Sequence, residues 1–293
     1  MGTRERGKDP SCLAFLFGDP VAQSLSPAIH NAAFDALGLD AAYRSIKVSA
    51  DDLPDAVSRL RVDGVLGANI TIPHKQAVLA LVDDVTPHVR STGAVNTVVV
   101  DVDGRLLGAN TDVVGFLDPL DSYMDELRGG SAVIFGAGGS ARAASFALLT
   151  TMSLSRLTIV ARRKEQANQL ITDLTEADGS GVLRSSSLEE AGRDVRDSRL
   201  IVNATPVGME PHDEESPWPP LSDFTEGQVV YDLVYVPTTT RLIRDASRRG
   251  ARTVGGMAML IAQAAASFKL WTGRTMPIEP VRNALLDALN DTS

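Results

Sequence analysis

A lysine in an unfavourable position is the first residue of this chain that suggests chemistry. In "ITIPHK", residues 70–75, Pro73 predicts the start of a helix, so Lys75 falls in its first turn. The positive end of a helix dipole disfavours a cation by roughly 0.3–1 kcal/mol. The position indicates a functional cation, and a surface lysine that extends from the helix start is the alternative.

Polar side chains occupy one face of the predicted strand before this lysine. Asn69 and Thr71 share that face, whereas Ile70 and Ile72 lie on the other. A strand inside a parallel sheet is usually apolar on both faces, so one polar face near its end indicates a cleft. Hydrogen bonding of both side chains to nearby backbone is the alternative. A second polar cluster ends the next two extended segments: Asn96, Asn110, Thr111 and Asp112.

Two predicted helix starts carry further polar candidates. Ser26 suits the N-cap of a helix over residues 26–38, which has a proline at its start and a glycine at its end. Ser24 and Ser26 also place two hydroxyls where a carboxylate can bind at a helix N-terminus. Asp112 suits the cap of the helix "VVGFL", which is the commoner role for such a residue taken alone.

A glycine-rich turn points to a dinucleotide. "GAGGSARA", residues 136–143, lies between a predicted strand and a predicted helix, so its backbone can approach a pyrophosphate at the helix start. A bare packing turn is the alternative. About 20 residues further on, an NAD site calls for an acid that holds the ribose hydroxyls. The chain has Arg162, Arg163 and Lys164 there, which suit a 2′-phosphate, although a solvated basic helix start is also possible.

Composition narrows the class of protein. The chain has 293 residues, enough for two domains, with 44% hydrophobic and 22% charged residues. Its formal net charge is −9, so we expect no nucleic-acid partner. The four histidines lie far apart, so we expect no metal. Cys12 is the only cysteine, which fits a reducing cytoplasm. We expect no membrane span, and neither a signal peptide nor a myristoylation site in the charged start.

Alternating strands and helices predict an α/β fold with parallel sheets. Strands are predicted at 13–20, 64–71, 131–135, 156–162, 198–206, 228–235 and 251–256, and helices at 26–38, 52–60, 139–150, 257–271 and 279–290. Residues 94–112 predict a hairpin that turns at Asp103-Gly104. We expect the domain change near residues 112–130, and we expect the last two helices to return to the first domain.

Together these segments resemble the shikimate dehydrogenase family along nearly the whole chain. The resemblance is carried, in the family's order, by "GDPVAQSLSPAIHN", "GANITIPHK", "GAVNT", "GANTDVVG", "GAGGSARA", "NATPVGM", "YDLVYVPTTT" and "GGMAMLIAQAAASFKLWTG". It implies a substrate-binding catalytic domain of residues 1–112 and 257–293, and a Rossmann domain of residues 113–256 that binds NADP. It also implies NADP-dependent interconversion of 3-dehydroshikimate and shikimate, in aromatic amino acid biosynthesis, by a cytoplasmic monomer or homodimer.

The resemblance also implies roles for single residues. Lys75 and Asp112 would be the catalytic pair that exchanges a proton with the substrate. The substrate would be held by Ser24, Ser26, Asn69, Thr71, Asn96, Tyr235 and Gln263. The cofactor would be held by Gly136, Ala137, Gly138, Gly139, Ser140, Arg162, Arg163, Lys164, Thr205, Leu233, Gly256 and Met259.

The chain departs from the family at the 2′-phosphate segment. The family signature there begins with asparagine and arginine, whereas this chain has Ala161 before Arg162 and an additional Arg163. A quinate/shikimate or aminoshikimate dehydrogenase is the alternative within the family, although the basic run argues against the use of NAD that is associated with the quinate branch. A cofactor sensor without catalysis is another, although such a protein is expected to lack the intact pair of Lys75 and Asp112.

Overall fold

The computed structural model describes residues 10–179, 181–220 and 223–290, so the charged start at residues 1–9 lies outside it. The described chain divides into two units. The first contains residues 10–89, 94–111 and 264–290, and the second contains residues 90–93 and 112–263. Each unit is built around one six-stranded sheet. The predicted α/β fold is therefore confirmed.

The elements follow one another in the alternation that the sequence predicts. The first half contains β1 (Cys12–Gly18), α1 (Ser26–Ala36), β2 (Ala41–Lys47), α2 (Leu53–Ser58), β3 (Val65–Ile70), β4 (Asp84–Val85), α3 (Pro87–Thr92), β5 (Thr97–Val100) and β6 (Leu106–Ala109). The second contains α4 (Asp112–Leu117), α5 (Met124–Leu127), β7 (Ser131–Phe135), α6 (Gly139–Thr151), β8 (Arg156–Val160), α7 (Lys164–Asp173), β9 (Leu183–Ser186), α8 (Gly192–Asp197), β10 (Leu200–Asn203), β11 (Val229–Asp232), α9 (Arg241–Arg248) and β12 (Arg252–Gly255). The chain continues with α10 (Gly256–Thr272) and α11 (Ile278–Asn290).

The first sheet is mixed, with strand order β2-β1-β3-β5-β6-β4. β1 pairs in parallel with β2 and β3, whereas β5 is antiparallel to both β3 and β6. The antiparallel part is the predicted hairpin, in which Asp101 Oδ1 accepts hydrogen bonds from the backbone N–H groups of Asp103 and Arg105. This turn reverses the chain by local bonds alone, which is why the sequence predicts it.

The C-terminal helices complete the first unit. α11 packs against α1. In the last turn of α10, Trp271 donates its indole N–H to the carbonyl of Val98 on β5, at 3.0 Å. The predicted return to the first domain is therefore confirmed for α11 and for α10 from Ala264 onward, whereas α10 up to Gln263 lies in the second unit.

The second sheet is parallel throughout, with strand order β12-β11-β10-β7-β8-β9. Every residue of β10 and β11 is buried, as expected for strands that are covered on both faces. The order reverses between β7 and β10, because the chain goes from β7 outward to β9 and then returns to the other side of β7. Ligands of such sheets bind at the carboxyl ends of the strands beside this reversal.

Two local predictions about helix starts are wrong. Ser26 is the first residue of α1 rather than its N-cap, because Leu25 occupies that position and makes no side-chain cap bond. Residues 73–76 form turns rather than a helix, and a short 3₁₀ helix, Ala77–Leu81, follows them. The predicted stop of α1 at Gly38 is confirmed by its φ of +63°, a conformation that favours glycine.

Candidate active site

The lysine of the "PHK" segment lies in a turn that the fold holds by backbone and side-chain bonds. His74 donates its backbone N–H to the carbonyl of Thr71 at 2.9 Å, so the chain reverses immediately after β3. The His74 ring is buried and its Nε2 lies 2.7 Å from the carbonyl of Val48. The carbonyl of Lys75 accepts the N–H of Val95 at 2.8 Å. Lys75 is thus half-buried and fixed by this turn. The predicted place of Lys75 in the first turn of a helix is wrong, because no helix begins at Pro73.

Asn69 is buried, at 5% exposure, at the end of β3. Its Oδ1 accepts a hydrogen bond from the Tyr43 hydroxyl at 2.9 Å. Its Nδ2 lies within 3.0 Å of Thr97 Oγ1 and Ser267 Oγ, and 3.2 Å from the carbonyl of Asn96. The polar face predicted for this strand therefore exists, and at Asn69 it is satisfied by protein groups.

Asn96 lies in the same network of buried polar groups. Its Nδ2 donates to Thr111 Oγ1 at 2.9 Å, and its Oδ1 accepts the backbone N–H of Thr111 at 2.7 Å. Ser267, on α10, lies 2.9 Å from Thr97 Oγ1 and 3.1 Å from Thr111 Oγ1. Helix α10 therefore contributes the Ser267 hydroxyl to the same network. Asn110, also predicted in this cluster, donates instead to the carbonyl of Ala94 at 2.9 Å.

The two serines meet at the start of α1. Ser24 Oγ accepts the backbone N–H of Ser26 at 3.2 Å, so Ser24 rather than Ser26 satisfies a backbone donor there. Burial raises the pKa of the Tyr43 hydroxyl, and the Ser26 side chain lowers it to a smaller extent. Ser26 is buried on the same helix as Asn31, whose side chain binds the backbone of Tyr43.

Thr71 follows β3 and is half-buried, and its backbone N–H donates to the carbonyl of Phe17 at 2.9 Å. In the first unit, the structure thus joins Asn69 and Asn96 by a hydrogen bond, and it bonds Ser24 to the backbone of Ser26. Sequence reasoning missed Tyr43, Thr97 and Ser267. Polar residues at buried positions were the signal available, but the bonds that join these three residues to Asn69 span 26 to 198 residues of the chain.

The remaining substrate candidates belong to the second unit. Asp112 is the first residue of α4 and is 6% exposed, so its carboxylate lies at the favourable end of that helix. Gln263 is half-buried on α10, where its Nε2 donates to the carbonyl of Leu260 at 3.0 Å. Tyr235 follows β11, and burial raises the pKa of its hydroxyl.

The glycine turn sits beside the reversal of strand order in the second sheet. Gly136, after β7, has φ +110°, and a Cβ there would lie 2.9 Å from the carbonyl oxygen of Ala204, after β10. Gly138 has φ −86°, and a Cβ there would meet no heavy atom within 4 Å. Gly136 is therefore required by the turn itself, whereas Gly138 leaves open space next to the N-terminus of α6.

The loops after β10 and β11 are held by one buried carboxylate. Asp232 accepts hydrogen bonds from Asn203 Nδ2, Thr240 Oγ1 and the N–H of Val234, at 2.9, 2.6 and 3.0 Å. Asn203 Oδ1 in turn accepts from the N–H and hydroxyl groups of Thr205, at 3.0 and 2.7 Å. Thr205 is thereby positioned next to the glycine turn, because Gly136 lies against it.

The other residues predicted at the nicotinamide end lie at the start of α10. A Cβ on Gly256 would lie 2.4 Å from the carbonyl oxygen of Leu233, so only glycine permits this close approach of the helix start to the loop after β11. Met259 is buried in the main core of the second unit, and Leu233 packs against that core. These residues form an apolar boundary near the strand ends.

Three cations follow β8. Arg162 and Arg163 are exposed, and Arg163 is the N-cap residue of α7. Lys164 is the first residue of α7, and its Nζ lies 3.3 Å from Glu190 Oε2. The hydrogen bond from Lys164 is the main cause of the lowered pKa of Glu190. All three cations are therefore exposed to solvent, and the lysine is also paired with an acid.

These features of the second unit fit a dinucleotide phosphate. The open space at Gly138 and the free first-turn N–H groups of α6 suit a pyrophosphate, and the exposed arginines suit a further phosphate. In the part of the chain that the structure describes, no three histidine, cysteine, aspartate or glutamate side chains form a metal-binding cluster. Within the same ranges, no helix combines the length and apolar character needed to span a lipid bilayer.

Two family models match the chain. Residues 16–98 match the shikimate dehydrogenase substrate binding domain, from the last residues of β1 to the first two residues of β5. Residues 256–286 match the shikimate 5′-dehydrogenase C-terminal domain, which covers α10 and most of α11. The matched segments thus include the serines of α1, the "PHK" turn and the helix that carries Ser267.

Individual relatives match almost the full length. A Salinibacter ruber protein named shikimate dehydrogenase (NADP(+)) is 52% identical over 93% of this chain and 96% of its own. Shikimate 5-dehydrogenase from Thermus thermophilus, solved with NADP(H) and shikimate, is 38% identical with a TM-score of 0.83, over 94% of this chain and 99% of its own. Quinate dehydrogenase from Corynebacterium glutamicum, solved with NAD, is 33% identical with a TM-score of 0.86, over the same shares of the two chains. The chain therefore belongs to the shikimate dehydrogenase family.

Proposed function

We propose that this protein is an NADP-dependent dehydrogenase that reversibly reduces 3-dehydroshikimate to shikimate, a step of aromatic amino acid biosynthesis. The observation that carries the proposal is the near full-length identity to a relative named shikimate dehydrogenase (NADP(+)). The site agrees with it, because the chain has both a built polar network and a dinucleotide-type turn.

The substrate is held by hydroxyl and amide groups. Ser24 and Ser26 bind its carboxylate at the start of α1, and Thr71, Asn96, Tyr235 and Gln263 bind the carboxylate or the ring hydroxyls. Asn69 is part of the same set. Its Nδ2 hydrogens are directed at protein acceptors, so a ligand hydroxyl that reaches this residue has to donate to Oδ1.

Lys75 and Asp112 form the catalytic pair. Lys75 exchanges a proton with the C3 oxygen of the substrate, and Asp112 orients the ammonium group. The turn at His74 supports this role, because it holds the lysine backbone by bonds at both the Thr71 and Val95 sides. An intact pair also disfavours the alternative of a cofactor sensor without catalysis.

NADP, when bound, supplies or accepts the hydride. Gly136 to Ser140 bind its pyrophosphate, Arg162 to Lys164 bind the 2′-phosphate, and Thr205, Leu233, Gly256 and Met259 surround the nicotinamide. Support comes from the position of the turn beside the strand-order reversal. A quinate dehydrogenase that uses NAD remains the second candidate, because such an enzyme belongs among the family's solved structures.

We also propose that residues 1–112 and 257–293 act as the substrate domain and residues 113–256 as the cofactor domain. The chain acts in the cytoplasm as a monomer or homodimer, with small molecules as its partners. The single cysteine supports the location, because it permits no internal disulfide.

The catalytic assignment is tested with Lys75→Ala. The unsubstituted protein should oxidise shikimate with NADP⁺, and the variant should lose about 10²- to 10⁴-fold in kcat, since a positioned acid/base is removed. The KM for shikimate should change much less. Lys269→Ala, which removes an exposed lysine from the last turn of α10, serves as the matched control. A Lys75→Ala variant with native kcat would refute the assignment.

A further inference from the structure

Helix α1 holds both the backbone and the ring of Tyr43, a residue that the resemblance does not assign to the site. Its backbone N–H donates to Asn31 Oδ1 at 2.8 Å, and its carbonyl accepts from Asn31 Nδ2 at 3.1 Å. The ring of His30 lies almost parallel to its ring, with the centroids 4.4 Å apart and the planes at 14°. Tyr43 itself is 2% exposed. Its position is therefore determined by two consecutive residues of the helix that also carries Ser26.

The direction of the bonds at the Tyr43 hydroxyl follows from its neighbours. The carbonyl of Asn96 can only accept, so the amide group of Asn69 that faces it at 3.2 Å must be Nδ2. Oδ1 of Asn69 then faces Tyr43, and the tyrosine hydroxyl donates to it at 2.9 Å. The Tyr43 hydroxyl therefore commits its hydrogen to Asn69, and removal of the hydroxyl would leave Asn69 Oδ1 without this donor.

We propose that Tyr43 is a positioning residue for substrate binding, which holds Asn69 in place relative to the helix that carries Ser26. The inference rests on the proposed function, in which Ser26 and Asn69 both belong to the substrate site. The Tyr43 hydroxyl binds Asn69 at 2.9 Å, while Asn31 and His30 of α1 fix the backbone and the ring of the tyrosine. Tyr43 acts through Asn69 and does not itself touch the substrate.

A second buried tyrosine provides a matched control. Tyr231 is fully buried on β11 and stacks on Phe116, with ring centroids 5.2 Å apart and planes at 16°. Its hydroxyl has no hydrogen-bond partner among the residues that the structure describes. Tyr43→Phe and Tyr231→Phe therefore make the same chemical change in two buried, stacked rings, but only the first removes hydrogen bonds.

The test measures initial rates for both variants and the unsubstituted protein. Tyr43→Phe should raise the KM for shikimate by about 3- to 30-fold, because one bonded hydroxyl is lost, and should leave the KM for NADP⁺ unchanged. Its kcat should change by less than about twofold, since the proton-transfer pair is intact. Tyr231→Phe should leave all three constants unchanged. Asn31→Ala, which frees the Tyr43 backbone, should show the same selective rise and provides a second variant if Tyr43→Phe does not fold.

A double variant separates a role through Asn69 from a general loosening of the fold. Tyr43→Phe combined with Asn69→Ala should raise the KM for shikimate no further than Asn69→Ala alone, because the tyrosine acts through that amide. An unchanged KM for shikimate in Tyr43→Phe, or additive rises in the double variant, would overturn the positioning role. Failure of the unsubstituted protein to turn over shikimate would instead overturn the proposed function, and this inference with it.

Discussion

The buried side-chain amide of Asn69 is hydrogen-bonded to protein groups through both its oxygen and its nitrogen. Its two Nδ2 hydrogens have three acceptors within 3.2 Å, and its Oδ1 already accepts from Tyr43. Removal of one such partner leaves a buried polar group unpaired, at a cost of about 1–3 kcal/mol. At the scale of residues, the network thus fixes the side chains of Asn69 and Asn96.

His30 makes a contrasting contribution, because it is buried without polar partners. Neither ring nitrogen has a hydrogen-bond partner in the described part of the chain, and desolvation lowers the pKa of His30 from 6.5 to about 3. The folded protein thus keeps this ring neutral at pH values at which the unfolded chain protonates it. The free energy of unfolding therefore falls as the pH decreases from about 6.5 toward 3.

We predict that His30→Phe weakens this sensitivity to acid. The phenyl ring retains an aromatic face for Tyr43 but binds no proton. Between pH 7 and pH 5, His30 contributes a loss of up to roughly 2 kcal/mol in the free energy of unfolding, which urea unfolding at the two pH values measures. The window lies above the titration of Asp83, whose carboxyl pKa Arg61 lowers to about 2. Equal pH dependence in the variant and the unsubstituted protein would contradict this account of His30.

At the scale of elements, the turn from β7 to α6 assigns different tasks to two of its glycines. Gly136 has a positive φ and lies against the loop after β10, whereas Gly138 has an ordinary φ and no neighbour at its Cβ position. The first glycine serves the fold. Under the proposed function, the second leaves room for the pyrophosphate of NADP to approach the backbone.

We predict opposite outcomes for alanine at these two positions. Gly136→Ala should destabilise the protein by about 1–3 kcal/mol, because it combines a positive φ with a clash against Ala204, and thermal unfolding should show a lower Tm. Gly138→Ala should keep the native Tm within error. Its KM for NADP⁺ should nevertheless rise by about 10-fold or more, since the added methyl group fills the space for the pyrophosphate. A native KM for NADP⁺ in a folded Gly138→Ala variant would show that this space is not used.

The sequence predicts elements better than it predicts the contacts between them. Apolar runs and turn residues are local signals, so most strands, the hairpin and the glycine turn were predicted correctly. The helix at Pro73 was not, because a tertiary bond from His74 to Val48 and the turn to Thr71 replace the local preference. The bonds of Ser267 to Asn69 and Thr97 span 198 and 170 residues, and no local pattern encodes such pairs.

At the scale of the whole molecule, the charge of the cofactor segment is opposite to that of the protein. The formal net charge is −9, yet three exposed cations, Arg162, Arg163 and Lys164, follow Ala161 after β8. An acidic protein that binds an anionic cofactor needs such local cations. Lys164 is also paired with Glu190, so the proposed discrimination between NADP⁺ and NAD⁺ falls mainly to the arginines.

We predict that Arg162→Ala combined with Arg163→Ala removes most of the preference for NADP⁺. A charge-assisted contact of about 1.5–3 kcal/mol corresponds to a preference of about 10- to 100-fold in kcat/KM. Kinetics with NAD⁺ should change little, and the preference of the unsubstituted protein should shrink at high salt. Arg184→Ala, which removes an exposed arginine from β9, is the matched control. Retention of the full preference by the double variant would place the 2′-phosphate elsewhere.

The measurement that tests the central claim most directly is a panel of initial rates. It combines shikimate or quinate with NADP⁺ or NAD⁺, using the unsubstituted protein at one ionic strength. The account predicts the highest kcat/KM for shikimate with NADP⁺, by about 10-fold or more over shikimate with NAD⁺. A highest value for quinate with NAD⁺ would contradict it and would identify the protein as a quinate-type dehydrogenase of the same family.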